Sequence, residues 1–259
     1  STVMNKSDRN PAKKARLGVG NTLAYLSVAP LLALSVNNYS QNDGAVSTDL
    51  ERYSGLNAEQ TSPTIDAKLA QKMYRRGNTY SNLERYTEAI EEYRRAISAD
   101  PNLADAVRNL ANTYYFLERY EEAKPLFARF IELQKETSAG LIAAVSTLGQ
   151  LEREDENYQS SIQYDLRAIE LSPQNDSQVH VMANTYNNAG EAEKAILIYR
   201  TAIEIMAKNA FFDRSLGRIL EQEGRIEDAL MAYEAAAEKD PDSGFYANLV
   251  ETTRNRIIR

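Results

Sequence analysis

The chain's 259 residues, 43% of them hydrophobic, allow one or two compact domains or a single extended array. Its formal charge of −7 lacks the basic excess with which nucleic-acid binders neutralise phosphates, so no nucleic-acid partner is expected. Having no cysteine, it cannot form disulfides, thiolate metal sites or a cysteine nucleophile.

Residues 1–16 are polar and basic, with Lys6, Arg9, Lys13, Lys14 and Arg16. They lead into a mainly apolar stretch from Leu17 to Val36 that includes Leu23, Leu26, Leu31, Leu32 and Leu34. A positive flank before an apolar run of about 20 residues is the pattern of a membrane-embedded helix. Asn21, Ser27 and Pro30 dilute that pattern, which leaves a cleaved signal, or a soluble arm docking on a partner or on the first repeat, as alternatives. The cations all precede the stretch, and none follows until Arg52. A single span would therefore leave the N-terminus in the cytoplasm and the rest of the chain in a periplasm or lumen. Residues 37–64, rich in Asn, Ser, Gln, Asp and Thr, read as a polar linker. A short helix over Asp49–Leu56 would have too small an apolar face to stand alone.

From Ile65 onward apolar residues recur at helical spacing. Met73, Gly77 and Tyr80 share one face, Leu83 to Tyr86 make a turn, and Ala89, Ile90, Tyr93, Ala96 and Ile97 form the apolar face of a return helix that Asp100-Pro101 ends. The pattern returns four more times. Small residues open each unit at Gly77, Ala111, Gly149, Ala183 and Gly217, and recur twelve residues on at Ala89, Ala123, Ser161, Ala195 and Ala229, so that paired helices can touch closely. A third set stands at Ala96, Phe130, Ala168, Ala202 and Ala236, where only Phe130 is large. The spacing is 34 residues except between the second and third units, where 38 predicts about one extra helical turn. The last stretch, with Phe245, Leu249, Val250 and Ile257, is predicted to be a helix whose apolar side covers the fifth unit while Arg254, Arg256 and Arg259 face water.

Over Ala70–Asp242 this period resembles the tetratricopeptide (TPR) repeat, a helix-turn-helix unit. The resemblance implies an all-α fold: a right-handed superhelical TPR solenoid of five repeats over 65–243 and a capping helix over 244–259, preceded by the N-terminal apolar helix (1–36) and linker (37–64). It also implies a protein that binds other proteins.

The third repeat is the least regular. Glu152 and Asp165 stand where its siblings carry Tyr80 and Tyr93, or Tyr186 and Tyr199. Two interior carboxylates would repel, raising a pKa or recruiting a cation. The simpler expectation is a one-residue register shift that presents Leu151 and Tyr164 instead. Elsewhere nothing resembles catalytic apparatus. Gly18-Val19-Gly20 lacks the rest of a nucleotide-binding loop, and His180, the sole histidine, has no second histidine or cysteine to share a metal or a triad with. No enzyme activity, cofactor or metal is expected.

TPR proteins line a concave groove with the first helix of each repeat. The position after each small residue reads Asn78, Asn112, Gln150, Asn184 and Arg218; four residues earlier stand Tyr74, Arg108, Ser146, His180 and Arg214, and Tyr115 lies a turn later. Amides both donate and accept, so such a row can bond the backbone of an extended peptide whatever its sequence. The cochaperones that clamp acidic chaperone tails use a Lys-Asn-Asn-Lys-Arg set. Here Asn78 and Asn109 match the amides, but Tyr74, Ala143 and Thr147 replace the cations, which argues against that ligand. The chain thus reads as a non-enzymatic, membrane-tethered scaffold that organises a membrane or envelope complex. The alternative is a soluble or exported peptide receptor that loses its N-terminal signal.

Overall fold

The computed structural model describes residues 65–173 and 175–258, which form eleven α-helices and no strand. These are α1 (Ala67–Asn82), α2 (Tyr86–Ala99), α3 (Ala104–Phe116), α4 (Tyr120–Leu133), α5 (Ala139–Glu154), α6 (Tyr158–Leu171), α7 (Asp176–Asn188), α8 (Ala192–Ile205), α9 (Ala210–Gln222), α10 (Ile226–Lys239) and α11 (Gly244–Ile257). Every strong helix contact joins consecutive helices, so the core is a row of unit interfaces without a single centre. Leu17, Leu23, Leu26, Leu31, Leu32 and Leu34 lie outside the described residues, and among the described residues no helix is long and apolar enough to cross a membrane.

Each hairpin turns on one left-handed residue: Glu84, Glu118, Glu156, Gly190 and Gly224, with φ between 57° and 80°. The amide three residues past each of the first five odd helices' ends closes back on it, as in Arg85 N to Tyr80 O at 2.9 Å and Arg225 N to Leu220 O at 2.8 Å, which satisfies carbonyls the helix leaves open. The extra residues of the third unit are divided. α5 has 16 residues against 13 in α3, α7 and α9, and the link before it, 134–138, is one residue longer than 100–103.

All three sets are buried, Phe130 included. The glycines serve the tyrosine sixteen residues on: a Cβ on Gly77 would sit 2.6 Å from the Tyr93 ring, and one on Gly217 would sit 2.5 Å from the Tyr233 ring. Gly therefore lets an aromatic ring cross the backbone of the helix it packs on.

The third repeat does not shift register. Glu152 and Asp165 stay at the expected positions, 1% and 2% exposed, beside a Leu151 and Tyr164 that are buried as well. The Ser161 hydroxyl donates to the Gly149 carbonyl at 2.8 Å, locking the α5–α6 crossing, and the cation is supplied from within. Arg153 Nη1 reaches Asp165 Oδ2 at 3.0 Å, Ser161 Oγ at 2.9 Å and Thr185 Oγ1 at 2.8 Å, and the Thr185 hydroxyl donates to Asp165 Oδ2 at 2.7 Å. This network joins α5, α6 and α7 where the apolar core divides. One cluster runs from Ala89 to Ala168 and another from Ile162 to Tyr233.

α11 departs from expectation on its apolar side. Leu249 and Val250 pack on the fifth repeat, but Phe245 and Ile257 are exposed, because α10 covers only one stripe of a terminal helix. Its arginines do not simply face water: Arg254 pairs with Glu234 at 2.7 Å and Arg256 pairs with Glu221.

Candidate partner-binding groove

The odd-numbered helices form a polar row whose bonds join α1 to α3, and α5 through α7 to α9. Asn109 on α3 donates to Asn78 Oδ1 on α1 at 2.9 Å, Gln178 on α7 to Ser146 on α5 at 3.1 Å, and Arg218 on α9 to Asn184 on α7 at 2.8 Å. Three tyrosines from the even helices cross to this row. Tyr93 donates to Asn78 Oδ1 at 2.8 Å, Tyr233 donates to Glu221 at 2.9 Å, and the Tyr199 hydroxyl lies 2.6 Å from His180 Nδ1. Reading these tyrosines as core alone misses their hydroxyls. The signal for them is the glycine or alanine sixteen residues earlier, which opens the passage.

Asn78 is thus bonded to both Tyr93 and Asn109, and Tyr74 packs its ring against Tyr93 at 6.2 Å. The two amides that matched the chaperone-tail clamp bond each other. In the middle of the row the residue sixteen on is Phe127 or Asp165, neither of which sends a hydroxyl into the groove. Asn112 is exposed there, in a cavity of about 310 Å³ lined by Arg108, Phe127, Gly140 and Thr147. Arg108 pairs with Asp105 at 3.0 Å and lies over Phe130, Gln150 is bonded along its own helix to Glu154 at 2.8 Å, and Tyr115 packs between Tyr120 and Phe127.

The remaining residues meet in one place. His180, Asn184, Arg214 and Arg218 line a cavity of about 600 Å³ between α7, α9 and α11, closed by Tyr233 and Phe245. His180 is held between Tyr199 on Nδ1 and Asn184 on Nε2, with the Phe211 ring edge-on at 4.6 Å. Burial, with Arg218 and Arg214 beside it, lowers its pKa to about 4, so the ring is neutral at pH 7. Burial likewise pushes the Tyr199 hydroxyl up to about 12. Arg214 stacks over Phe211 and Phe245, at 4.8 and 5.9 Å, and neither Arg214 nor Arg218 is in an ion pair with a described residue. Two guanidinium groups thus face open solvent space beside amides, an arrangement suited to an acidic group. Among the described residues no group of three or more His, Cys, Asp or Glu could hold a metal.

Family models described as TPR repeat and tetratricopeptide repeat match residues 77–123 and 108–176. No curated protein matches the chain. Among solved structures, a crystal structure of MamA protein is 24% identical, covering 67% of this chain and 93% of its own, with a TM-score of 0.53. A crystal structure of YrrB, a TPR protein with an unusual peptide-binding site, is 20% identical over 78% and 97% of the two chains at 0.51. MamA from Desulfovibrio magneticus is 13% identical over 70% and 99% at 0.51. At these identities the likeness concerns the fold: the described residues form an all-α TPR solenoid.

Proposed function

We propose that this protein is a non-enzymatic interaction scaffold whose odd-helix groove holds an extended, acidic segment of a partner protein. The observation that carries this reading is the pair Arg214 and Arg218, which line the cavity against α11 in no ion pair with a described residue, while the carboxylate that shares the cavity, Glu221, is bonded to Tyr233 and Arg256. The exposed Asn112 offers a backbone contact further along the same row. The sequence of residues 1–36 supports a tether: Leu17–Val36 holds the scaffold at a membrane with its repeats on the non-cytoplasmic side, where it serves assembly or organisation of a membrane or envelope complex.

Affinity isolation of the full chain from solubilised membranes, with crosslinking to identify what the groove touches, tests this. Arg214→Gln with Arg218→Gln should reduce capture of the crosslinked partner about tenfold or more and remove most of its salt sensitivity, because each charge-assisted bond is worth about 1.5–3 kcal/mol. Asn112→Ala should weaken capture by about 1 kcal/mol. Undiminished capture by both variants, with loss only on deleting 17–36, would place recognition outside the groove.

A further inference from the structure

The outermost units of a repeat array lack a neighbour on one side, and Ile65, Leu69, Phe245, Ile257 and Ile258 are exposed there. A different group of exposed apolar side chains lies within the array, at the hairpin turns of the first two repeats. Leu83 and Phe116 are 61% and 65% exposed, with Leu117 and Tyr120 open beside them. The Tyr86 ring at the first turn meets Phe116 at the second, 5.0 Å away, so the two turns share one surface. Units contact one another through consecutive helices, so a further repeat at either end would leave this edge bare. The fold does not require the edge to be apolar either. At the positions of Phe116 and Leu117 the last three repeats carry Glu154 and Asp155, Asn188 and Ala189, and Gln222 and Glu223. An apolar patch kept in water in this way marks a contact surface.

The free charge at this edge has one sign. Arg85 and Arg119 are paired within their own turns with Glu88 and Glu122. Lys124 on α4 is held by Glu121 and by Asp155 of the third turn, which brings that turn alongside the second repeat. Glu84, Glu118 and Glu156, the left-handed residues of three successive turns, are exposed and in no ion pair with a described residue. Gly190 and Gly224 hold the same place in the fourth and fifth repeats, where positive φ is less costly for glycine than for a side chain, so turn geometry does not demand the glutamates. A second copy of the chain would bring a like-charged edge to this one, and an anionic membrane would be repelled. Apolar side chains bordered by unpaired carboxylates are matched by apolar side chains bordered by cations.

We propose that the turn edge of the first three repeats is a second docking surface, which takes a basic amphipathic segment of a partner protein. The segment's apolar side chains lie on Leu83, Tyr86, Phe116, Leu117 and Tyr120, and its cations face Glu84, Glu118 and Glu156. None of these residues lines the cavities of the odd-helix groove, so occupation of the edge leaves the groove open. Single exposed ion pairs contribute little, so the apolar contacts supply the affinity and the carboxylates select the sign of the partner.

Fluorescence anisotropy of a labelled helical peptide of leucine and lysine, its leucines along one face, titrated with the full chain, tests the surface. Leu83→Ser with Phe116→Ser should weaken binding about tenfold. Glu84→Gly, Glu118→Gly and Glu156→Gly together should weaken it about as much without lowering the melting temperature, because glycine accepts the left-handed turn. Glu204→Gln, Glu227→Gln and Glu238→Gln, which remove as much charge from the fourth and fifth repeats, should leave binding within about twofold of the parent. A loss in that control equal to the loss in the turn variant would reduce the attraction to net charge and overturns the proposal. Absent binding, or binding undiminished in either turn variant, overturns it too, as does equal binding of a leucine and glutamate peptide. Self-association of the chain that Phe116→Ser abolishes, followed by sedimentation, would assign the patch to a second copy, and binding of phosphatidylcholine vesicles lost in the same variant would assign it to a membrane surface. Either result also overturns it.

Discussion

In the fourth repeat Tyr199 crosses α7 and meets His180 in the groove; in the third, Asp165 occupies the same position and ends in a buried cluster with Arg153, Ser161 and Thr185. The hairpin geometry is alike in both, with the left-handed turn residue at Glu156 or Gly190 and a small residue at each helix crossing. One interior position therefore decides whether a unit contributes a hydroxyl to the binding surface or a polar joint to the core. The joint falls where the two larger apolar clusters divide, so the third repeat joins the fourth by directional bonds as well as by apolar area. Such bonds are exacting: a buried charge is tolerated while its partner stays, and costs several kcal/mol once the partner is gone.

The largest test of this contrast is Arg153→Met, which strands Asp165 at 2% exposure. Urea unfolding should show a loss of about 3 kcal/mol, and Arg153→Met with Asp165→Leu should recover most of it, since apolar replacement of a whole buried pair is near neutral. A single-variant loss below about 1 kcal/mol would mean the network holds nothing together.

A smaller effect separates the glycines. Gly217→Ala drives a methyl against the Tyr233 ring at 2.5 Å and should destabilise by about 2 kcal/mol. At Gly149 the nearest atoms are Tyr164 Cβ at 3.1 Å and Asp165 Oδ1 at 3.2 Å, and the better helix propensity of Ala offsets about 1 kcal/mol, so Gly149→Ala should stay within about 1 kcal/mol of the parent. Thermal or urea unfolding of the two variants side by side checks the order, and equal losses would remove the distinction between a ring crossing and a polar one.

The smallest expected difference is in pH response, where the two repeats have opposite signs. Burial raises the Asp165 carboxyl above its ordinary 3.8, against the pull of Arg153 and Thr185, so its burden on the fold is absent below 3.8 and grows as pH rises through the raised value. Burial lowers His180 from 6.5 to about 4, so the stability that its neutral ring contributes is complete above 6.5 and lost as pH falls toward 4. The melting temperature should therefore fall between pH 7 and pH 5, and His180→Gln should flatten that fall, while the penalty of Arg153→Met should shrink on acidification as Asp165 takes up a proton. A fall of equal size in His180→Gln would place the acid sensitivity elsewhere.

Much of this architecture is legible in the chain itself. The 34-residue period, the small residues from Gly77 to Ala236 and the four-residue excess before Gly149 suffice to phase five hairpins, because a repeat must meet its neighbour through the same few positions each time. The row from Tyr74 to Arg218 could be placed on one face for the same reason. Which members of that row are open could not. Asn78 and Asn184 are bonded to neighbouring units while Asn112 is not, and this depends on whether a ring from the next helix arrives with a hydroxyl.

The third repeat marks the boundary most clearly. The sequence determined that carboxylates fall at positions 152 and 165, and that anything buried there would need a cation. The cation's identity was settled only by tertiary structure. Arg153 is adjacent in sequence to Glu152, yet it reaches Asp165 on the next helix and Thr185 on the one after, because helix crossings set by Gly149 and Ser161 bring all three to one point. Periodicity fixes which face a residue occupies. Distances between faces of different helices follow from packing, and local sequence does not encode them.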